Sequence, residues 1–593
     1  MFHSDYTTTL PALLIRVYTI LVTKTKRWSI PSVLSDQAKA DLEAFPPILR
    51  QLLFNRGYSD KKSANIFLRA DAGIDTSPFG MTGMRATVDR ILYALDHQEQ
   101  VAIYGDYDVD GVTATALLVQ TLKALGVQAR GYIPNRFDEG YGLNNEALTA
   151  LKEEGVELVI TVDCGIRSPA EAAHARSIGL DLIISDHHQP SDTLPAAFAV
   201  INPKQPDDLY QDKDLAGVGI AYKIAQALVE SYLATGQVTD FRPEILLDLV
   251  ALGTVADLAP LTGENRMLVR KGLECIRSTS RQGLFALANV AEMTIAKTTA
   301  TNIGFVLGPR LNAAGRLDSA LAAFDLLSTQ DLMLAGQLAQ QLEAQNRSRQ
   351  EITRKIQAEA EAMALTGDPE AFILFAVSPE FNSGVVGLAA SRLVETYYRP
   401  AIVGQQSEET TRCSCRSIPE FHITQALDEC ADLLVRHGGH AAAAGFTVKN
   451  ENLEELQRRL KLLAKEKLGD RDLRPVLSAD MVVPLGDMNA DVIKNMEYLQ
   501  PTGYGNPEPV FVSRNLQVKA SRTVGMDAKH LKLTLSDGRV SFDAIGFRLG
   551  HLKASMPPRV DVMYTFETNE FNGRTTLQLN LKDVKAAGEP DEA

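Results

Sequence analysis

The sequence predicts an α/β protein: a mainly parallel sheet, a long helix leading to a second α/β unit, and a C-terminal β-barrel. Three observations carry this expectation. Between about residues 81 and 290, short apolar runs alternate with amphipathic stretches, the pattern of a doubly wound sheet buried on both faces. From Leu332 a polar run of helical period continues through Ile352 and Ile356, with no Gly or Pro between Gly336 and Gly367, and predicts one connecting helix. Past residue 475, β-rich runs at 531–535, 540–546 and 575–581 are divided by Asp537-Gly538 and Asn572-Gly573, both strong hairpin turns. Roughly five strands at this size suggest an OB-like barrel.

Taken in chain order, residues 1–80 read as an extension and a helical lead-in, the latter including a helix over 46–54. Residues 81–290 form the parallel-sheet domain and 291–367 the helical connector. The second α/β unit spans 368–466, opening on the strand 371–377, and the barrel occupies 475–588.

A length of 593 residues fits about four domains. A hydrophobic content of 45% with no apolar run near the ~20 residues of a membrane span fits a soluble globular chain without a membrane segment. The net charge of −14 excludes nonspecific coating of nucleic acid, which needs clustered Lys and Arg. Any polynucleotide would follow local basic patches. Five cysteines, with Cys413 and Cys415 unmatched by a second pair, make neither a structural zinc site nor a disulfide framework, and a reducing cytoplasm is the simpler home. Residues 1–26 carry too few arginines for a transit peptide and read as an extension ahead of Trp28.

The chemistry is concentrated in the run Tyr104-Gly105-Asp106-Tyr107-Asp108-Val109-Asp110-Gly111, which places three carboxylates at alternate positions where an apolar strand over 100–104 ends. Like charges this close repel unless a cation sits among them. A calcium loop is excluded: its twelfth position requires Glu and here holds Leu117, and a strand rather than a helix precedes. The strand-like runs 158–162 and 182–185 end in Asp163 and in Asp186-His187-His188, and the run 249–256, read as a further strand, leads into Asp257. Parallel strands deliver their C-terminal ends to one edge, so these side chains can converge. Carboxylates and imidazole without thiolate suit Mn²⁺ or Mg²⁺. Gly217-Val-Gly219 lacks both the third glycine and the preceding strand of a dinucleotide loop.

Tyr-Gly-Asp-Tyr-Asp-Val-Asp-Gly, Thr-Val-Asp-Cys-Gly, Ser-Asp-His-His and Gly-Thr-Val-Ala-Asp resemble the four motifs of the DHH phosphoesterase superfamily. The likeness continues in 308–316, 384–392, Arg416-Ser417-Ile418 and 438–446. This extended set is similar to the RecJ family of single-stranded-DNA-specific exonucleases, over roughly residues 28–588. The resemblance implies a DHH domain, a DHH-associated domain and an OB-like domain. It also implies hydrolysis of single-stranded DNA from the 5′ end to 5′-mononucleotides in recombination and repair. Duplex would be excluded by a narrow passage between the two α/β units.

Two cations about 3.5 to 4 Å apart would supply the nucleophile, neutralise phosphoryl charge and support the leaving oxygen. Carried over by motif, Asp106, Asp108 and Asp163 would hold one cation and Asp110, Asp163, His187 and Asp257 the other. His188 would meet the phosphate or leaving oxygen, and Asp186 would orient a histidine. Arg310, Asn312 and Arg316 would line the channel, Arg416 and Ser417 would clamp a phosphate, and Gly438, Gly439 and His440 would form a substrate loop. One departure stands at Phe381-Asn382, where the family commonly has Trp-His; Asn382 can hydrogen-bond but carries no charge. Tyr504, Phe511 and Phe571 are candidates for stacking bases. The implied partners are single-stranded DNA, a single-strand-binding protein and a helicase, with the chain a monomer. A phosphodiesterase for short oligoribonucleotides or cyclic dinucleotides would need neither the long helix nor the barrel, and a catalytically dead scaffold would not need the full acid and histidine set.

Overall fold

The computed structural model describes residues 26–135, 139, 142–368, 370–571 and 573–591. The proposed extension over residues 1–25, Asn572 of the second hairpin turn and the side chain of Phe571 lie outside what is described.

The first sheet has five strands, all parallel: Gln100–Gly105, Gln128–Tyr132, Val156–Val162, Asp181–Ser185 and Ala199–Ile201. Gln100–Gly105 lies between Gln128–Tyr132 and Val156–Val162, with Asp181–Ser185 and Ala199–Ile201 following outward. Successive side chains of a strand face opposite sides. Accordingly Val101, Ile103, Leu158 and Ile160 enter one core, while Ala102, Tyr104, Val159 and Leu182 enter the other. The order reverses between Gln100–Gly105 and Val156–Val162, and at such a switch point the loops diverge and leave a crevice at the strands' C-terminal ends.

One expectation is corrected here. Residues 249–256 are not a strand but most of the helix Leu247–Ala256, which ends on Asp257 as its C-cap. A run apolar on every side reads equally as a buried strand or a buried helix. The surroundings settle it, because Leu247–Ala256 packs among the helices Val109–Ala124, Gly217–Ala234 and Gly263–Arg277 and has no exposed face.

The 36-residue helix Leu332–Gly367 would be about 54 Å long at 1.5 Å per residue. Ala335, Ala339 and Leu342 near its start belong to the core of the first α/β unit, whereas Ile356, Ala360 and Leu365 belong to the core of the second. That unit has a mixed sheet: Leu374–Ser378 and Ala401–Gln406 are parallel, and Thr410–Arg416, Ala443–Lys449 and Leu434–Gly439 follow antiparallel. The C-terminal strands Phe511–Val524, His530–Ser536, Ser541–Gly546, Arg559–Phe571 and Arg574–Ala586 close into a five-stranded barrel, sealed by the pairing of the first with the fourth. No helix of the described residues is long and apolar enough to cross a membrane.

The lead-in does not stand alone. Leu42, Leu49, Leu52, Leu53 and Phe67 share one core with Leu531, Leu533, Val562 and Leu579 of the barrel. The strand Arg27–Ser29 pairs in parallel with Val476–Ser478, just ahead of the barrel. Trp28 is fully buried there and donates from Nε1 to Asp583 Oδ2 at 2.8 Å. The Trp28→Ala variant should therefore lose about 3 to 5 kcal/mol of the barrel's stability. Trp28 packs there with Ala479, Val512 and Met563. Chemical denaturation followed by circular dichroism checks the loss, and an unchanged midpoint would contradict the fastening of this strand to the barrel.

Candidate metal centre

At the switch point the chain turns sharply. Asp106 leaves the strand Gln100–Gly105, and Asp108 caps the following helix by accepting from the backbone N–H of Asp110 at 2.9 Å and of Gly111 at 3.1 Å. Asp110 sits in the first helical turn and is fully buried. Its carboxylate accepts from Gly217 N–H at 2.7 Å and Val218 N–H at 2.9 Å, so the N-terminus of a second helix holds it. A Cβ on Gly217 would come within 2.8 Å of Asp163 Cβ, and one on Gly253 within 2.8 Å of Asp110 Oδ1, so only glycine permits this approach. Asp163 directly follows the strand Val156–Val162 with φ 62°, a left-handed conformation that costs a residue with a Cβ and that clusters at functional sites.

His187 joins these carboxylates: its Nε2 lies 3.1 Å from Asp163 Oδ1, 3.9 Å from Asp110 Oδ2 and 3.8 Å from Asp257 Oδ2. The donors of Asp106, Asp108 and Asp163 form one group within 4.8 Å, those of Asp110, His187 and Asp257 a second, and those of Asp163, His187 and His188 a third. His187 Nε2 and Asp163 Oδ1 are both buried without a hydrogen-bond partner although they nearly touch. A buried carboxylate oxygen and imidazole nitrogen left this close without a hydrogen bond fit a shared cation. Oxygens with one imidazole are the donor set of Mn²⁺ or Mg²⁺.

Electrostatics gives the same reading. Burial, then the charge of Asp108, pushes Asp110 up to about 7 against the pull of its two amides. Burial with Asp110 and Asp108 pushes Asp257 up to about 9, and Asp163 is held well above the carboxylate range by burial and four neighbouring acids. His187 falls to about 3, chiefly through burial and then through His188, which leaves it the neutral imidazole a metal requires.

His188 is oriented differently. Its Nδ1 is 2.8 Å from Asp186 Oδ1 but 3.9 Å from Asp163 Oδ1, which commits the ring to Asp186. Burial opposes its protonation, but the bond to Asp186 and the charges of Asp110 and Asp106 outweigh burial and raise its pKa. Asp186 in turn accepts from the N–H of Ile166, His187 and His188, so it braces the turn carrying both histidines.

The residues expected to meet substrate are placed unevenly. Asn312 accepts from Val109 N–H at 3.2 Å and supports the acidic turn from behind. Arg316 reaches the second unit at Gly384 O, and Asn382 caps that turn by accepting Gly384 N–H at 2.8 Å. Arg310 is instead paired with Glu343 of the long helix at 2.7 Å, and the Ser417 hydroxyl donates to Phe421 O at 2.6 Å, so both have structural partners. Arg416 is half-buried against Gly387, while Gly438, Gly439 and His440 lie exposed at and beyond the end of the strand Leu434–Gly439. Of the stacking candidates, Phe511 is fully buried in the barrel and cannot stack a base, whereas Tyr504 is exposed. The amides of Gly217 and Val218 and the side chain of Asn202, which donates to His188 O, were not legible as site elements. Only the glycine pair gave a signal, and it pointed to no anion.

Family models match in the same order as these units: the DHH family, N-terminal domain, over residues 100–254, the DHHA1 domain over 370–466, and the RecJ OB domain over 479–583. The chain is 39% identical over 564 residues to the single-stranded-DNA-specific exonuclease RecJ of Bacillus subtilis, covering 94% of this chain and 70% of that one. The chain belongs to the RecJ family. It is 36% identical to the Escherichia coli RecJ over 92% of this chain and 97% of that one. The crystal structure of Thermus thermophilus RecJ in complex with Mn²⁺ superposes with a TM-score of 0.81 at 30% identity, covering 95% of this chain and 80% of that one. Structures of that RecJ exist with Mn²⁺ and with Mg²⁺, the two cations that the donor set favours.

The raised carboxylates set a pH dependence. Asp110 and Asp257 titrate above an unfolded value of about 3.9, so their stabilising contribution is full below that pH and is lost as pH rises through about 7 and about 9. In chelator, the Tm should fall between about pH 5 and pH 9, Mn²⁺ should remove the fall, and Mn²⁺ binding at neutral pH should release protons. Thermal scans and titration calorimetry in buffers of different ionisation enthalpy measure these effects, and a flat Tm in chelator would contradict the placement.

Proposed function

We infer that this chain is a metal-dependent exonuclease that hydrolyses the phosphodiester bonds of single-stranded DNA. The convergence of five carboxylates and His187 at the switch point, in a chain of the RecJ family, carries the reading. When bound, two divalent cations supply Lewis-acid neutralisation of phosphoryl charge and water of lowered pKa. Asp106, Asp108 and Asp163 would hold one, and Asp110, Asp163, His187 and Asp257 the other. Asp163 would thus serve both. His188, raised in pKa and turned by Asp186, would donate to the phosphate or to the departing 3′ oxygen.

The strand would run between the two α/β units, past Arg316, Asn382 and Arg416 to the loop Gly438, Gly439 and His440. Hydrolysis would proceed 5′ to 3′ and release 5′-mononucleotides, with roles in DNA recombination and repair. Outward-facing Arg522 and Lys532, opposite one another on barrel strands, and exposed Phe547 beside His530 support a role for the barrel in holding the strand upstream. A helicase and a single-strand-binding protein would supply that strand to a monomeric enzyme in the cytoplasm.

Labelled single strands, duplex, RNA and dinucleotides incubated with Mn²⁺ test the substrate and polarity; cleavage confined to dinucleotides would overturn both. The Asp163→Ala variant should lose about a thousandfold in kcat, because several kcal/mol of metal-dependent stabilisation disappear. Its binding to a single strand in chelator should stay within about threefold. Asp186→Asn should cost about 10- to 100-fold in activity and move the acidic limb of the pH–rate profile as His188 loses its partner. An unmoved profile would detach Asp186 from His188.

A further inference from the structure

Lys223 and Glu264 are both buried, and their side chains meet as an ion pair that takes no part in the chemistry described above. Lys223 stands six residues along the helix Gly217–Ala234, whose first two amides hold Asp110. Glu264 stands in the first turn of the helix Gly263–Arg277, seven residues past Asp257. The pair therefore joins the two segments that place Asp110 and Asp257, which form one donor group with His187.

Each end of the pair is fixed a second time. Lys223 Nζ donates to Thr76 O at 2.7 Å, and Tyr210 OH donates to the other carboxylate oxygen of Glu264. Asp212 Oδ2 accepts Glu264 N–H at 2.8 Å, and Asn265 Nδ2 donates to Asp214 O at 2.6 Å. Tyr210, Asp212 and Asp214 lie on the stretch that runs directly into Gly217, so the approach to one helix is stitched to the start of the other.

Stability alone gives no reason for these charges. A buried ion pair roughly breaks even against apolar side chains of the same size, but its directional bonds fix how one helix sits against another. That placement matters here. The amides of Gly217 and Val218 lie 2.7 and 2.9 Å from Asp110, and a slide of their helix by about 1 Å would stretch both bonds beyond hydrogen-bonding reach. Asp257 is set from the other side of the same tie. Asp106, Asp108 and Asp163 are carried instead by the turns that follow two paired parallel strands.

We propose that Lys223, Glu264 and Tyr210 form a positioning network that sets the spacing of Asp110 and Asp257, and through it the affinity of the cation site these two share with His187. The site of Asp106, Asp108 and Asp163 is outside its control. The proposal rests on the two-cation reading of the exonuclease. Mn²⁺ binding by the wild-type chain in the same titrations separates failure of that reading from failure of this one.

The test measures Mn²⁺ binding to the full chain without DNA, by calorimetry, for the wild type, for Lys223→Met combined with Glu264→Gln, and for Tyr210→Phe. The combined variant should bind one of two Mn²⁺ ions about tenfold more weakly and the other within about twofold. Tyr210→Phe should weaken the same site by a smaller factor. In an Asp257→Asn background the combined substitution should cost less than about twofold more, which identifies the site. Hydrolysis of single-stranded DNA at saturating Mn²⁺ should return to within about threefold of wild type, because every ligand is still present. A lower Tm with unchanged Mn²⁺ affinity would make the network a prop of the fold and overturn the proposal, as would equal weakening of both sites. Should the combined variant fail to fold, Tyr210→Phe decides by itself, since it deletes one hydroxyl, and unchanged affinity there overturns the proposal.

Discussion

Repulsion among buried carboxylates is the constraint around which the molecule is organised. Asp106, Asp108, Asp110, Asp163 and Asp257 share a space in which burial already disfavours charge, and each raises the cost of ionising the next. Left to itself such a cluster would protonate or open. The scaffold prevents opening: two parallel strands fix Asp106 and Asp163, a helix N-terminus grips Asp110, and Asp257 caps a helix buried on all sides. Affinity for divalent cations then follows, because cations are what relieve the remaining stress.

The same logic explains the backbone around the site. Asp163 adopts φ 62°, and Gly217 and Gly253 stand where any side chain would collide with a carboxylate-bearing residue of the cluster. These features weaken the local fold and are tolerated because the parallel sheet and four packed helices over-determine the geometry. The two histidines show how neighbouring residues are set apart by environment alone. Burial makes His187 neutral, whereas the bond to Asp186 keeps the adjacent His188 prone to protonation.

Beyond the site, separate segments are locked to one another at few, well-satisfied points. The long helix is rooted in two cores at once, and Trp28 fastens the first described strand to the barrel. Arg266, fully buried in the catalytic domain, donates to the carbonyls of Phe67, Tyr498, Leu499, Gln500 and Pro501, joining the lead-in and the approach to the barrel in one hub. Leu261, four residues past Asp257, donates its N–H to Tyr504 O at 2.7 Å. The barrel is therefore positioned directly from the segment that carries a candidate metal ligand.

Local pattern determined a good deal of this. Strand-then-acid spacing located Asp106, Asp108, Asp110, Asp163, Asp186 and His187, since a buried parallel strand is apolar throughout and its C-terminal end is the sheet's functional edge. The uninterrupted polar period from Leu332 and the Asp-Gly turn at Asp537 likewise announced a long helix and a hairpin through backbone preferences acting over a few residues. Whatever depended on partners distant in sequence was decided only by the tertiary structure. Residues 249–256 became helix because helices surround them, Arg310 turned to Glu343, Phe511 went into the barrel core, and the amides of Gly217 and Val218 became the anchor of Asp110. A sequence states what each residue prefers, but the neighbour that satisfies a buried charge or covers an apolar face is chosen by packing across hundreds of residues.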